Sequence, residues 1–240
     1  MATLSDIFGE IKPKNEHSSS KLYVIFGQGG SGKTTLSSTC SKLGETILVN
    51  FENRVGHIDE TENLRILPRS KGEFRQDKRM TYSGFKAFVE FLETKYTPKY
   101  VIIDTLDEMF IAFQQGMLQA GEITDKYYGR PEIYTSMLNL LKRIKDTGAD
   151  IICNCQATML EQFGVIDTAI VEKLMIKINQ IVDNKFYLNI TDDDNRVLIL
   201  KPNNKIKNKL SVKKEDYNSV PSELLNPEWK DIEEACKIIS

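Results

Sequence analysis

The sequence contains little cysteine, no long apolar run and almost no net charge. Its four cysteines show no metal-ligand spacing, and Cys153 and Cys155 lie two positions apart in an apolar run, as small hydrophobic residues do. No apolar run reaches the roughly 18 residues of a membrane span, and the N-terminal stretch MATLSDIFGE lacks the basic start and apolar core of a secretory signal. The formal charge of −2 excludes a global attraction to phosphate backbones. We therefore expect a cytoplasmic protein with reduced thiols, in which any nucleic-acid contact comes from local basic patches.

The length of 240 residues suits one α/β domain with a modest appendage. The polar tract KNEHSSS predicts a flexible N-terminal arm over residues 1–20. We expect one core domain over residues 21–212, followed by a C-terminal tail over residues 213–240 that contains a short helix.

Buried strands and helical segments alternate along the core. Short apolar runs rich in β-branched residues predict strands at residues 21–26, 45–51, 64–68, 99–104 and 150–156. Helical periodicity predicts helices near residues 32–44, 82–96, 131–147 and 172–183. The turn TDDDN separates KFYLNI from RVLILKP, as in a hairpin. The fold class is therefore α/β, with a mostly parallel central sheet, helices on both faces and an antiparallel C-terminal edge.

The segment GQGGSGKT, residues 27–34, fits the phosphate-loop pattern G-x-x-x-x-G-K-[ST] without a mismatch. A strand-like run precedes it and a helical run follows, as this motif requires. In such a loop the glycines let successive backbone N–H groups face the β- and γ-phosphates, and Lys33 adds a mobile positive charge. The predicted nucleotide-binding residues are Gly27, Gln28, Gly29, Gly30, Ser31, Gly32, Lys33, Thr34 and Thr35.

Two carboxylates at strand ends are candidates for metal binding and catalysis. Asp104 closes the run YVII, where P-loop proteins carry the acid that holds Mg²⁺, and Thr34 would bind the same ion through its hydroxyl. The alternative for Asp104 is a cap for the helix that begins at Thr105. Glu52 follows the strand at 45–51, at the sheet edge where ligands of open parallel sheets lie, and could orient an attacking water. An ordinary exposed glutamate explains Glu52 equally well.

Gln156 ends the strand IICNC, where its amide could hydrogen-bond a γ-phosphate and report its loss to the loop at residues 157–171.

Several motifs follow one another between about residues 21 and 210: the phosphate loop, the strand-end glutamate, VIIDT, NCQ, KFY and KNK. They occur in the order found in RecA-like recombinases and the related KaiC and RadA ATPases, which the chain resembles. In size it looks most like the phage-encoded single-strand annealing ATPases of the Sak group. The resemblance implies a RecA-like P-loop NTPase that uses ATP and Mg²⁺.

The resemblance also implies roles for individual residues. Glu52, Lys33 and Gln156 would be catalytic, and Gln156 would also be the sensor that couples nucleotide to DNA. The segment after the strand at 99–104 would form a first DNA-binding loop, in which cations and rings are available for phosphates and bases: Lys126, Tyr127, Tyr128 and Arg130. A surface turn with tyrosines packed on the core is the alternative. Residues 157–171 would match a second DNA-binding loop, but they contain no Lys or Arg and so offer poor electrostatic contact with DNA. The length of 240 residues leaves no room for the additional terminal domains of bacterial RecA or its archaeal relatives, so we expect annealing or loading rather than full strand exchange.

The stretch NKIKNKL, residues 204–210, places a lysine at every second position. This alternation predicts an edge strand with Ile206 facing inward. The resemblance implies that Lys207 and Lys209 are catalytic cations that reach the ATP of a neighbouring subunit, because phosphoryl transfer needs extra positive charge at the γ-phosphate. A homo-oligomer with ATP at its interfaces follows. Its expected partner is single-stranded DNA, and a single-strand binding protein is a further candidate.

Three classes of function are open from the sequence. The first is an ATPase that acts on single-stranded DNA in phage recombination or replication. The second is a P-loop helicase loader or KaiC-like ATPase that acts on protein partners, and the third is a nucleotide-gated DNA-binding module with little hydrolysis. A basic stretch from Arg65 to Arg79 could track a nucleic-acid backbone or form a solvated loop.

Overall fold

The computed structural model describes residues 20–52, 54–68, 79–160, 165–169, 172–211 and 216–237. All but Ser20 of the predicted N-terminal arm, and residues 69–78 of the basic stretch, lie outside the described residues. In the described part of the chain the strands are β1 (Leu22–Gly27), β2 (Thr46–Asn50), β3 (Leu64–Leu67), β4 (Tyr100–Asp104), β5 (Asp150–Leu160), β6 (Val165–Thr168), β7 (Asn184–Ile190), β8 (Arg196–Ile199) and β9 (Glu223–Leu225). The helices are α1 (Lys33–Ser38), which continues as a 3₁₀ turn (Thr39–Lys42), α2 (Tyr82–Thr94), α3 (Leu106–Gln119), α4 (Arg130–Asp146), α5 (Glu172–Ile178) and α6 (Trp229–Lys237). Within those ranges, no helix has both the length and the apolar character needed to cross a membrane.

The strands form one sheet in the order β3-β2-β4-β5-β1-β7-β8-β9, and β6 pairs with β5. Neighbours from β3 to β7 run parallel, whereas β7, β8 and β9 are antiparallel. This topology confirms the predicted fold class. Gly27 and Asp104 end β1 and β4, and β5 lies between these strands with Gln156 paired to Gly27, so all three residues lie at the same edge of the parallel sheet.

Alternate residues of the central strands face two separate apolar cores. In β1, Leu22, Val24 and Phe26 belong to the first core, whereas Tyr23 and Ile25 belong to the second. Residues of α2, α3, α4 and α5 complete the first core, and residues of α1, the 3₁₀ turn and α6 contribute to the second. Burial on both faces explains why these strands have continuous apolar sequences rather than alternating ones.

The C-terminal helix α6 is part of the second core. Trp229 is fully buried, and its ring meets Tyr23 edge-on at 5.1 Å between centroids. Its backbone N donates to Thr39 Oγ1 at 2.8 Å, and the Tyr100 hydroxyl donates to Glu233 of α6. The described part of the predicted tail therefore packs against the strands and the first helix of the core.

The segment after Gln156 differs from its prediction as a loop. Strand β5 does not end at Gln156 but continues to Leu160, and it pairs antiparallel with β6, with Ala157 opposite Thr168. The prediction that β5 ends at Gln156 and is followed by a loop at residues 157–171 is therefore wrong for residues 157–160 and 165–168, which pair as two strands. Their sequences ATML and VIDT contain β-branched and apolar residues that suit a paired ribbon.

The lysine-rich segment also differs from its prediction as an edge strand. Single bridges connect Asn203 with Ile206, Ile206 with Ile166, and Lys209 with Lys185. The backbone N of Lys207 donates to Ile166 O at 3.2 Å, so this segment is attached to β6. A tight turn ahead of Ile206 interrupts the regular alternation, although Ile206 is buried as predicted.

Candidate nucleotide-binding site

The loop between β1 and α1 has the backbone geometry of an anion site. Gly32 precedes α1 with φ at 83°, a left-handed conformation that favours glycine. A Cβ on Gly27 would come within 2.3 Å of Leu188 O in β7, so the loop can leave the sheet here only through glycine. The Ser31 hydroxyl is buried and has no hydrogen-bond partner among the described residues. An unpartnered buried hydroxyl in such a loop fits a group that binds a ligand.

Lys33 is buried over the loop that precedes it. Its Nζ donates to Gly27 O and to Gln28 O, both at 2.9 Å. Burial lowers the pKa of Lys33, while the charges of Glu52 and Asp104 act in the opposite direction. Two backbone carbonyls thus accept hydrogen bonds from the Lys33 ammonium group, and a bound phosphate can take their place as acceptor.

Thr34, Asp104 and Asn154 form a buried polar cluster at the foot of α1. Thr34 Oγ1 lies 3.1 and 3.2 Å from the two carboxylate oxygens of Asp104, which is 1% exposed. Asn154 Nδ2 donates to Asp104 Oδ1 at 2.9 Å and to Ser37 Oγ at 3.1 Å. Burial raises the pKa of Asp104, and the hydrogen bonds from Asn154 and Thr34 oppose this effect.

The structure contradicts the two non-functional interpretations, in which Asp104 is a helix cap and Glu52 is an ordinary exposed glutamate. Thr105 is the cap of α3, because its Oγ1 accepts from the backbone N of Glu108, so Asp104 is not the cap. The Glu52 side chain is only 15% exposed and lies 3.4 Å from the Arg54 guanidinium. Burial raises the pKa of Glu52, and the nearby Asp104 charge adds to the effect. Glu52 is therefore a partly desolvated carboxylate close to Asp104 and Lys33.

Strand β5 places Gln156 beside the phosphate loop. Gln156 pairs with Gly27 in the sheet, and its Oε1 lies 4.0 Å from the point that a Cβ on Gly29 would occupy. Its backbone N donates to Asp107 Oδ2 at 2.8 Å, and its carbonyl accepts from Ala169 N at 2.7 Å. Burial raises the pKa of Asp107, which the hydrogen bond from Gln156 opposes. Gln156 thus joins the phosphate loop directly to the β5–β6 hairpin.

This set of side chains fits a nucleotide together with a magnesium ion. A threonine hydroxyl and a carboxylate are the hard oxygen ligands that Mg²⁺ uses beside phosphates, and Thr34 and Asp104 supply both. Ser31 and Lys33 supply a free hydroxyl and an ammonium group next to the loop amides.

Sheet order, phosphate loop and strand-end aspartate together define a P-loop NTPase of the α/β class. A family model described as an AAA domain, AAA_24, matches residues 19–211. The chain belongs to this family and contains an AAA-type P-loop ATPase domain. A search of curated proteins found no match.

Three of the predicted DNA-binding residues, Lys126, Tyr127 and Tyr128, lie in the turn between α3 and α4, and the fourth, Arg130, is the first residue of α4. Tyr127 and Tyr128 are 66% and 82% exposed, and their rings meet edge-on at 5.5 Å. The Arg130 guanidinium lies 4.8 Å from the centre of the Tyr127 ring, and Gln114 Nε2 donates to Lys126 O. The alternative in which these tyrosines pack on the core is therefore wrong, and DNA binding stays a prediction.

The structure separates the two lysines that the sequence pairs. Lys207 is exposed, and its Nζ lies 3.7 Å from Asp167 Oδ2 on β6. Lys209 Nζ instead donates to Asn179 O at 3.0 Å and to Val182 O, just beyond the end of α5. Lys209 is thus engaged by carbonyls of its own chain, which disagrees with a reach into a neighbouring subunit. The catalytic role of Lys207 stays a prediction.

Two side chains at the site lie outside the sequence-based predictions. Asn154 interrupts an apolar run at an inward-facing position of a buried strand, and this polar interruption was a usable signal. Arg196 lies against Gly32. Its proximity depends on the register of β7 and β8, so its local sequence does not distinguish it from other hairpin residues.

Proposed function

We propose that this AAA-type protein hydrolyses ATP and couples hydrolysis to single-stranded DNA in phage recombination or replication, as an annealing or recombinase-type ATPase similar to the Sak group. The observation that carries the proposal is the position of Gln156. Its side chain lies beside the phosphate loop, and the residue that follows it, Ala157, is the first to pair with β6. A loss of the γ-phosphate can therefore be transmitted directly to a surface ribbon.

In this proposal the chain's own residues bind and orient the reacting groups. The loop amides and Lys33 hold the phosphates, and Glu52 orients the attacking water and accepts its proton. Mg²⁺ held by Thr34 and Asp104 would neutralise charge on the phosphate oxygens. The raised pKa of Glu52 suits a general base, because it brings the pKa of the carboxylate closer to neutral pH.

The charge that stabilises the transition state would be completed by a second subunit. Lys207 is exposed and lies on a segment attached to β6, so it is accessible to a neighbouring chain. We propose a homo-oligomer in which Lys207 reaches the ATP of the adjacent subunit. Lys209 is left out of this role because it caps α5 in its own chain.

The exposed pair Tyr127 and Tyr128 would supply the stacking platform for DNA bases. Arg130 lies over the Tyr127 ring, and Lys126 is the adjacent residue, so cations for the DNA backbone accompany the rings. The β5–β6 hairpin would then change its position relative to this platform as nucleotide is turned over.

The test is ATP turnover measured with and without single-stranded DNA, together with a sizing measurement. We expect an oligomer whose turnover is stimulated by DNA. The double variant Tyr127→Ala/Tyr128→Ala should bind DNA about 10-fold or more weakly, because each stacked base contributes about 1–3 kcal/mol. Tyr217→Ala is the control for loss of a tyrosine elsewhere. A monomer without DNA stimulation would contradict the proposal.

One observation favours a second candidate function, an ATPase that acts on a protein partner. The sequence of residues 157–171, which includes the β5–β6 hairpin, contains no Lys or Arg. Such a ribbon gives little electrostatic attraction to DNA, but it could pair with or pack against another protein. This candidate predicts ATP turnover that is indifferent to DNA and unaffected by the tyrosine double variant.

A further inference from the structure

The β7–β8 hairpin brings one arginine to the phosphate loop of its own chain. Arg196 is the first residue of β8 and pairs with Ile190 of β7. Its Nε lies 2.5 Å from the point that a Cβ on Gly32 would occupy, and its Cδ and Cζ lie 3.1 Å from the same point. The side chain therefore runs directly over the glycine that precedes Lys33, and a Cβ at position 32 would require the Arg196 side chain to shift.

The backbone of Arg196 is fixed from the other side by Asn226. Arg196 N donates to Asn226 Oδ1 at 2.8 Å, and Asn226 N donates to Arg196 O at 2.6 Å. Three residues later, Trp229 N donates to Thr39 Oγ1 in the 3₁₀ turn that continues α1. The segment from Asn226 to Trp229 thus hydrogen-bonds both the backbone of Arg196 and the helical segment that follows the phosphate loop.

The charge of Arg196 is not neutralised within the described part of the chain. None of the ion pairs between described residues includes it, although three aspartates precede it in the turn, Asp192, Asp193 and Asp194. An arginine that contacts a loop of phosphate-binding geometry, and has no carboxylate partner there, can give its guanidinium donors to an anion.

We propose that Arg196 binds the phosphates of the nucleotide held by the same chain. This inference rests on the proposed function only in assuming that the loop binds ATP or ADP. Arg196 is then a second cation of the site beside Lys33, and unlike Lys207 it is supplied within the subunit. Nucleotide affinity is therefore complete in a single subunit, whereas the proposed contribution of Lys207 affects turnover in an assembly.

The experiment compares wild type, Arg196→Ala and Arg196→Lys with Arg143→Ala as the control. Arg143 is a surface arginine paired with Glu93 among the helices of the first core, so its removal deletes the same charge on the opposite face of the sheet. Affinity is measured by fluorescence titration with a labelled ADP, and by competition with unlabelled ADP and with inorganic pyrophosphate. Thermal denaturation without ligand verifies that each variant is folded.

We expect Arg196→Ala to weaken ADP and pyrophosphate binding about 10- to 100-fold, as for loss of a hydrogen bond between charged groups. Arg196→Lys should recover part of the affinity, and Arg143→Ala should match wild type. Weaker ADP binding with unchanged pyrophosphate binding would overturn the inference, because Arg196 would then contact the base or ribose. Unchanged binding of both ligands would also overturn it. If wild type itself binds no ADP, the proposed function fails instead.

Discussion

Asn154 Nδ2 donates a hydrogen bond of 2.9 Å to Asp104 Oδ1 inside the sheet, at the position where P-loop ATPases hold magnesium. Asn154 is fully buried, and its second donor contact is with Ser37 Oγ of α1. This relationship fixes the orientation of Asp104 relative to Thr34. It also opposes the rise in the Asp104 pKa that burial causes. We therefore propose that Asn154 positions the carboxylate of Asp104 at the predicted metal site.

Replacing Asn154 tests this positioning role. Asn154→Ala should lower the free energy of unfolding by about 1–3 kcal/mol, as for loss of a buried hydrogen-bonding group. It should also raise the Mg²⁺ concentration needed for half-maximal turnover. Asn184→Ala is the matched control, because Asn184 is another buried strand asparagine, bonded to Ser211 N instead. An unchanged Mg²⁺ requirement in Asn154→Ala would contradict the role.

The charge of Asp104 should cost stability when no metal is bound. Burial raises the pKa of Asp104 in the folded chain above its unfolded value of about 3.9, so the folded state binds the proton more tightly. Protonated Asp104 thus contributes to the free energy of unfolding below about pH 4. This contribution is lost as the pH rises through the raised pKa. At pH 7 Asp104→Asn should melt higher than wild type without ligand, by about 2–4 °C for each kcal/mol.

The same variant should lose the increase in melting temperature that Mg²⁺ and ADP produce together. Asp150→Asn is the control, because burial also raises the pKa of Asp150, whose carboxylate accepts from Lys21 N away from the site. Asp150→Asn should keep the Mg²⁺-dependent stabilisation. A ligand-free Asp104→Asn that melts well below wild type would show that Asp104 is a structural acceptor rather than a metal ligand.

Glu52 should control the chemical step and not nucleotide binding. Glu52→Gln keeps the shape of the side chain but removes its basicity, so turnover should fall about 100-fold or more while ADP affinity is unchanged. Because the pKa of Glu52 is raised, wild-type turnover should increase with pH through a range above the ordinary glutamate value of about 4.3. The residual turnover of Glu52→Gln should lack this increase. Equal turnover in both proteins would remove Glu52 from the mechanism.

Mixing two variants of lowered turnover, Lys207→Ala and Glu52→Gln, tests whether Lys207 acts across a subunit interface. Lys207→Ala should lower turnover without lowering ADP affinity, because its charge is needed only as the γ-phosphate reacts. In a mixture with Glu52→Gln, a site with intact Glu52 can receive an intact Lys207 from its neighbour. Turnover should therefore exceed that of either variant alone. A mixture no more active than its components would place Lys207 outside the interface.

Lys209→Ala should behave differently from Lys207→Ala. Its ammonium group donates to Asn179 O and Val182 O after α5, so removal should lower the free energy of unfolding by about 0.3–1 kcal/mol. Thermal denaturation measures this change, and the variant should not complement Glu52→Gln in the mixing experiment. Full thermal stability together with complementation would restore Lys209 to the catalytic role that the sequence predicts.

The sequence predicts the fold well because its signals are local and redundant. The runs that form β1, β2, β4 and β5 are apolar on both faces, and GQGGSGKT fixes the position of the first turn. Placing Asp104 and Gln156 at the same edge as Gly27 then follows from the parallel arrangement alone. The main fold error is the pairing of β5 with β6, which brings together residues that are not neighbours in the sequence.

The rest of the site depends on contacts between distant segments. Arg196 reaches Gly32 only because β7 pairs with β1 and β8 pairs with β7 in one register. Lys207 and Lys209 belong to one alternating pattern in the sequence, but their surroundings differ. The turn before Ile206 interrupts the alternation, and Lys209 reaches the end of α5. Such differences are decided by tertiary pairing, which local periodicity does not encode.

ATP hydrolysis by this protein is tested by measuring phosphate release from ATP. Wild type, Lys33→Ala and Glu52→Gln are compared in Mg²⁺, each with and without single-stranded DNA. We expect that wild type releases phosphate, that DNA accelerates this release, and that both variants lose it. Wild type that releases no phosphate under either condition, or Lys33→Ala that releases it at the wild-type rate, would contradict the proposed function.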